Sequence, residues 1–73
     1  MKLYVLKDCV SGQCSVPFGA QNNQEAMRHF DLFCKKSDFS GADFQLYFIA
    51  DFDVQSGILS NLAFEFVKNG VGV

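Results

Sequence analysis

The chain has no tryptophan, one proline, one histidine and no excess of positive charge. Each scarcity closes off a class of protein. Six basic side chains against eight acids leave a net charge of −2. That is a poor match for a protein that grips duplex DNA alone, because neutralising phosphates needs a basic excess. The single histidine, His29, has Arg28 and Asp31 beside it and Cys34 five residues on, so no nucleophile sits one helical turn away. Three cysteines are an odd number and lack the dense, even pattern of a secreted disulfide scaffold. No run approaches roughly eighteen apolar residues, the length of a membrane-spanning helix. The apolar opening Leu3–Leu6 stops at Lys7 and Asp8, too early for a signal-peptide core. A chain of 73 residues builds one modest core, which excludes most enzyme architectures.

What is present is apolar. Hydrophobic residues make up 49% of the chain and charged ones 19%, a globular balance. With tryptophan absent, the core falls on nine phenylalanines. Cys9, Cys14, Cys34 and His29 are the ligand types zinc prefers, yet their spacing matches no closed zinc module. Reduced thiols are the expected state, with a Cys9–Cys14 disulfide as the alternative, and no metal or cofactor is expected. These features together point to the cytoplasm.

The periodicities predict an α+β domain of order ββαββ: a four-stranded, mainly antiparallel sheet of two hairpins with one helix on one face. Lys2 to Lys7 is rich in β-formers and forms the first strand. Cys14 to Phe18 alternates Cys14, Val16 and Phe18 with Ser15 and Pro17, a second strand that Pro17 confines to a sheet edge. Asn22, with Glu25 three residues on, resembles a capping box. From there to Lys36 the apolar side chains Ala26, Met27, Phe30, Phe33 and Cys34 share one helical face. Ser37 to Asp43 is a loop. Phe44 to Phe52 is the strongest strand, with Phe44, Leu46, Phe48, Ala50 and Phe52 forming an apolar face that the helix covers. Ile58 to Val67 completes the sheet, and Lys68–Val73 is a flexible tail after a single domain of residues 1–67.

Both hairpins turn on the same pattern, Asp-x-x-Ser-Gly, at Asp8–Gly12 and Asp53–Gly57. An aspartate caps the amides of such a turn, and the glycine takes the left-handed conformation that suits a hairpin's twist. Asp51 and Asp53 accordingly read as a solvated edge and a turn cap rather than as a carboxylate pair. No catalytic constellation emerges, and the protein is expected not to be an enzyme.

Two features point to binding. Arg28, Lys35 and Lys36 project from the outer helix face, where they are candidates for contacting the phosphates of a single strand. One helix also leaves the other sheet face open. Tyr47, Ile49 and Leu59 are expected on that face, together with either Tyr4 and Leu6 or Leu3 and Val5. Taking the first pair, Tyr4, Leu6, Tyr47, Ile49 and Leu59 form a candidate surface for a homodimer, a higher oligomer or another protein partner.

Pro17-Phe18, Ala26-x-Arg28-x-Phe30 and Leu46-Tyr47-x-Ile49-x-x-Phe52-Asp53-x-x-Ser56-Gly57-x-Leu59 together resemble the small nonstructural protein of gokushovirus-type microviruses, single-stranded DNA phages. The resemblance runs from the first strand to about Leu59. This chain departs from the usual pattern at Ala50, where glycine is common, and at Ser56, where threonine is usual. The resemblance implies a protein of the infected bacterial cytoplasm, absent from the virion and serving the switch to single-strand synthesis and packaging. On that basis the leading expectation is a non-enzymatic replication accessory that binds a viral or host protein through the open sheet face, with weak contact to single-stranded DNA at most. A direct single-stranded DNA binder using the basic helix face, and an antagonist of a host protein, are the alternatives.

Overall fold

The computed structural model describes residues 1–36 and 43–70. Its elements run β1 (Lys2–Asp8), β2 (Phe18–Ala20), α1 (Asn23–Lys36), β3 (Phe44–Phe52), β4 (Leu59–Ser60) and β5 (Glu65–Asn69). The sheet has the order β2-β1-β3-β4, and β5 pairs with β3 on the same side as β4. Every pairing is antiparallel. With α1 laid on one face, this is the α+β arrangement expected.

Helix α1 starts where the backbone of Glu25 donates to Asn22 Oδ1 at 2.9 Å, which satisfies one of the amides orphaned at a helix start. Lys35 and Lys36 occupy its last turn, where positive charge complements the helix dipole. Its buried stripe of Ala26, Phe30 and Cys34 packs on Tyr4, Ala20, Phe44 and Leu46, with Leu6, Phe18, Met27, Phe48 and Val67 around them. The Tyr4 ring is fully buried, and its hydroxyl donates to Asn23 Oδ1 at 2.6 Å. That bond joins β1 to the first turn of the helix. Burial and, second, the nearby Asp51 carboxylate push the phenol pKa up.

The two turns are near-copies. Asp8 Oδ1 accepts from the amides of Val10 and Ser11, and Asp53 Oδ1 from those of Gln55 and Ser56. In each, the glycine amide donates to the aspartate carbonyl at 2.7 Å. Gly12 and Gly57 have φ of 76° and 75°, left-handed values that glycine reaches without steric cost. The Val10 amide bond holds the Asp8 carboxyl below its ordinary pKa, and the Gln55 amide bond does the same for Asp53.

The structure corrects the sequence reading at four places. The second strand begins later than expected: Cys14 makes only an isolated bridge to Lys7, and the ladder resumes at Phe18, opposite Tyr4. Pro17, which has no amide hydrogen to give, lies in the gap. The expected strand Ile58–Val67 divides into β4 and β5, with Asn61 between them at φ 50°. From Asp51 to Leu46 β3 advances five positions, while the facing edge, from Ser60 to Lys68, advances eight. Such extra residues are bulges, and they twist the edge. Lys68 and Asn69, expected in a flexible tail, belong to β5, and Lys68 Nζ reaches Asp31 Oδ1 on the helix at 2.9 Å. Residues 71–73 of that tail, and all of the expected Ser37–Asp43 loop except Asp43, lie outside the described residues.

The fourth correction concerns faces. Tyr4 pairs with Phe48, but its neighbour Leu3 pairs with Ala50, so β3 carries one extra residue there, Ile49. Paired residues share a face. Tyr4 lies in the helix-side core, so Leu3, and with it Ala50, falls on the opposite face. The alternation expected for the whole of β3 therefore holds from Phe44 to Phe48 and inverts beyond Ile49.

Two outcomes follow. Phe30→Ala removes a side chain with 0% exposure at a cost of about 3–5 kcal/mol. A chain of this size has only about 4–11 kcal/mol in total, so the urea midpoint of the variant should fall by roughly a quarter or more. Lowered folded-state pKa values make the Asp8 and Asp53 contributions complete above the unfolded value of about 3.9 and lost as pH falls through the folded values. Asp8→Asn combined with Asp53→Asn keeps both acceptor oxygens but removes the titration. The melting temperature of the double variant should fall less steeply than that of the parent below about pH 4.

Candidate functional site

The ladder assigns a face to each paired side chain. On the helix side lie Lys2, Tyr4, Leu6 and Asp8 of β1, opposite Asp51, Phe48, Leu46 and Phe44. On the outer side lie Leu3, Val5 and Lys7, opposite Ala50, Tyr47 and Gln45. Phe66 and Asn69 extend the outer face beyond Tyr47 and Gln45, and Leu59 extends it beyond Phe52. Of the five expected surface residues, Tyr47 and Leu59 are on the outer face, and Ile49 is the half-buried bulge residue. Tyr4 and Leu6 are not there. They pack beneath the helix, so of the two pairs left open by the sequence it is Leu3 and Val5 that face outwards.

The centre of the outer face is aromatic. The Phe64 ring stacks on Tyr47 at 4.1 Å between centroids and 9° between planes, and Phe66 meets Tyr47 edge-on at 5.9 Å. Phe64 remains 54% exposed and Phe66 52%. One flat side of Phe64 is therefore occupied by Tyr47 while the ring stays open to solvent. The Tyr47 hydroxyl donates to Gln45 Oε1, and Gln45 Nε2 to Asn69 Oδ1, which fixes the polar end of the patch. On the same face Val5, opposite Tyr47, and Ala50 are buried.

Charge is divided by the sheet. At paired positions every acid, Asp8, Asp51 and Glu65, is on the helix side. Asp51 sits 3.6 Å from Lys2 and accepts from Asn61 Nδ2 at 2.7 Å; the Asn61 bond first and the Lys2 charge second hold its carboxyl below the ordinary range. The one charged side chain at a paired outer position is Lys7. Its Nζ lies 6.0 Å from the centroids of both Tyr47 and Phe64, at the limit of a cation–π contact, and among the described residues no carboxylate pairs with it.

Arg28, Lys35 and Lys36 are exposed on α1, as expected, and have no ion-pair partner among the described residues. Arg28 and Lys35 lie two helical turns apart on one line, about 10 Å along the axis, with Leu32 between them. This face looks away from the sheet, so it and the aromatic patch are on opposite sides of the molecule. A third feature is an apolar groove of about 280 Å³ between α1 and the first hairpin, lined by Leu6, Phe18, Gly19, His29, Phe30 and Phe33. Among the described residues lining it, His29 is the only ionisable one. Cys34 is buried on the sheet-facing side of α1, whereas Cys9 and Cys14 are exposed near the first turn; among the described residues no three potential ligands converge on a metal position. No helix there is long and apolar enough to cross a membrane.

The sequence reading missed Lys7, Phe64 and Phe66 as members of one surface. Their signal was present in outline, because Phe64 and Phe66 alternate around Glu65 as an edge strand with two unlike faces would. A family model described as "Phage ORF5 protein" matches residues 1–73. No curated protein and no solved structure matches the chain. The chain therefore belongs to the Phage ORF5 protein family and is a phage protein.

Two exposed rings in a chain this small are either required by the fold or retained for a ligand. Phe66→Ser should separate these alternatives. With half its surface already in water, its loss should lower stability by about 1 kcal/mol, far less than Phe30→Ala, as measured by urea midpoint.

Proposed function

We propose that this phage protein is a non-enzymatic accessory in replication of a single-stranded DNA genome, of the kind made by gokushovirus-type microviruses, and that it works by binding through the outer sheet face. It would act in the infected bacterial cytoplasm during the change from duplex copying to single-strand synthesis, and would not be carried in the virion. Membership of a phage family supports the setting. The block from Leu46 to Leu59, with the second Asp-x-x-Ser-Gly turn formed as the residue pattern requires, supports the likeness to those phages.

One observation carries the choice of surface: the outer face collects Tyr47, Phe64 and Phe66 around Lys7, with no acid at a paired position. A solvent face has no use for aromatic rings more than half exposed, and contiguous apolar patches of this type mark binding sites. The basic helix face, by contrast, is a row of separated cations with one leucine, which solvation alone accounts for.

The test is made in infected cells. Phage carrying Phe66→Ser should show a several-fold lower ratio of single-stranded to duplex genome late in infection, read by hybridisation. Phage carrying Arg28→Gln, Lys35→Gln and Lys36→Gln together should keep the parental ratio. An unchanged ratio for Phe66→Ser, with the protein present at its usual level, would remove the outer face from the process.

A further inference from the structure

Building on the outer face as the working surface, we propose that its occupant is single-stranded nucleic acid, with bases stacked on Phe64 and Phe66 and a phosphate held by Lys7. Three properties of the face select this ligand. Phe64 is backed by Tyr47, in parallel contact at 4.1 Å, and its ring is 54% exposed. A ring stacked on one flat side and still more than half exposed offers apolar aromatic surface to another flat group, and every nucleobase has a π-face whatever its sequence. Phe66 adjoins it, edge-on to Tyr47 and likewise open, so two neighbouring bases have somewhere to lie.

The charge is the second property. The chain as a whole is acidic, yet the paired acids lie on the other side of the sheet, and Lys7 is left beside the rings with no described carboxylate partner. Aromatic rings next to an uncompensated cation match a ligand that alternates flat apolar groups with anions. The third property is what the face lacks. A second copy of the chain would bring another Lys7 and no paired acid to meet it, so the face is not electrostatically complementary to itself. Gln45 and Asn69, already bonded to each other and to the Tyr47 hydroxyl, border the patch with amides rather than charges.

Duplex DNA keeps its bases stacked on one another, so this surface selects single strands. It does so without basic excess, which reconciles the net charge of −2 with binding a polyanion. The contact is short, one or two bases for each chain.

The experiment is fluorescence anisotropy of three labelled probes, oligothymidylate, its duplex with oligodeoxyadenylate, and an abasic strand of the same length, titrated with the full chain at low and physiological salt. Light scattering in the same buffers gives the mass. Oligothymidylate should bind more tightly than both other probes. Phe64→Ala and Phe66→Ala should each weaken it about tenfold, and Lys7→Gln should reduce the slope of log affinity on log salt by about 0.7. Equal binding of the abasic strand would overturn the proposal, since it would make the contact electrostatic only. Binding lost in the Arg28, Lys35 and Lys36 triple glutamine variant but kept in Phe66→Ala would overturn it in favour of the helix. Absence of binding at low salt would also overturn it. If that absence came with a dimer mass that Phe66→Asp reduces to one chain, the face would be a self-association surface. In each of these failures, a replication defect of Phe66→Ser in infected cells would still leave the outer face as the working surface, so the two readings fail separately.

Discussion

The antiparallel ladder between β1 and β3 is the constraint on which the rest of this molecule depends. It joins Lys2–Asp8 to Phe44–Asp51, brings together segments separated by a hairpin and a helix, and supplies the two inner strands of the sheet. The single extra residue at Ile49 then decides where the side chains of β3 go. Without it Ala50 and Phe52 would continue the helix-side core, and Asp51 would stand on the outer face. With it Asp51 turns to the helix side, near Lys2 and Tyr4, and the outer face keeps Ala50 and Phe52. One inserted residue thus places an acid on one side and apolar groups on the other.

That sorting matters because a chain of this size has little else to specialise. Its helix can cover only one face of the sheet, and a small domain cannot spare a second layer. A bare sheet face is normally polar. Here it carries Leu3, Leu59, Tyr47, Phe64 and Phe66, and the edge opposite β1 is broken between β4 and β5 and bulged once more within β5. Bulges leave backbone groups out of register and curl an edge away from neighbours, so the outer face stays apolar while the edge is a poor template for adding strands. The fold therefore separates a face suited to binding from an edge suited to aggregation.

The division of charge follows the same logic. Lys68 on the helix side is matched by Asp31, and Lys2 by Asp51, whereas Lys7 on the outer side lies beside aromatic rings. Exposed ion pairs of the first kind contribute little to stability. Their effect here is to use up acids on the helix side. An overall acidic chain can in this way present a locally cationic, aromatic surface, and its net charge is a poor guide to what that surface accepts.

Much of this architecture is determined by local chemistry and was legible in the chain. The two Asp-x-x-Ser-Gly turns, the Asn22 cap, the buried stripe of α1 and the bounds of β3 each depend on residues within a few positions of one another, so spacing alone specifies them. The bulges are different. Ile49 is as good a strand residue as its neighbours, and nothing local distinguishes a regular Ile58–Val67 strand from one broken at Asn61. Whether Tyr4 or Val5 faces the helix was equally undecided, because both residues are apolar and a strand alternates without naming its sides. The sequence by itself determined β1, α1, β3, the turns and the covered face of the helix. Only the tertiary structure decided which side of each strand joined the core, because a one-residue slip exchanges the faces and its cost is set by the partner strand rather than by the strand itself.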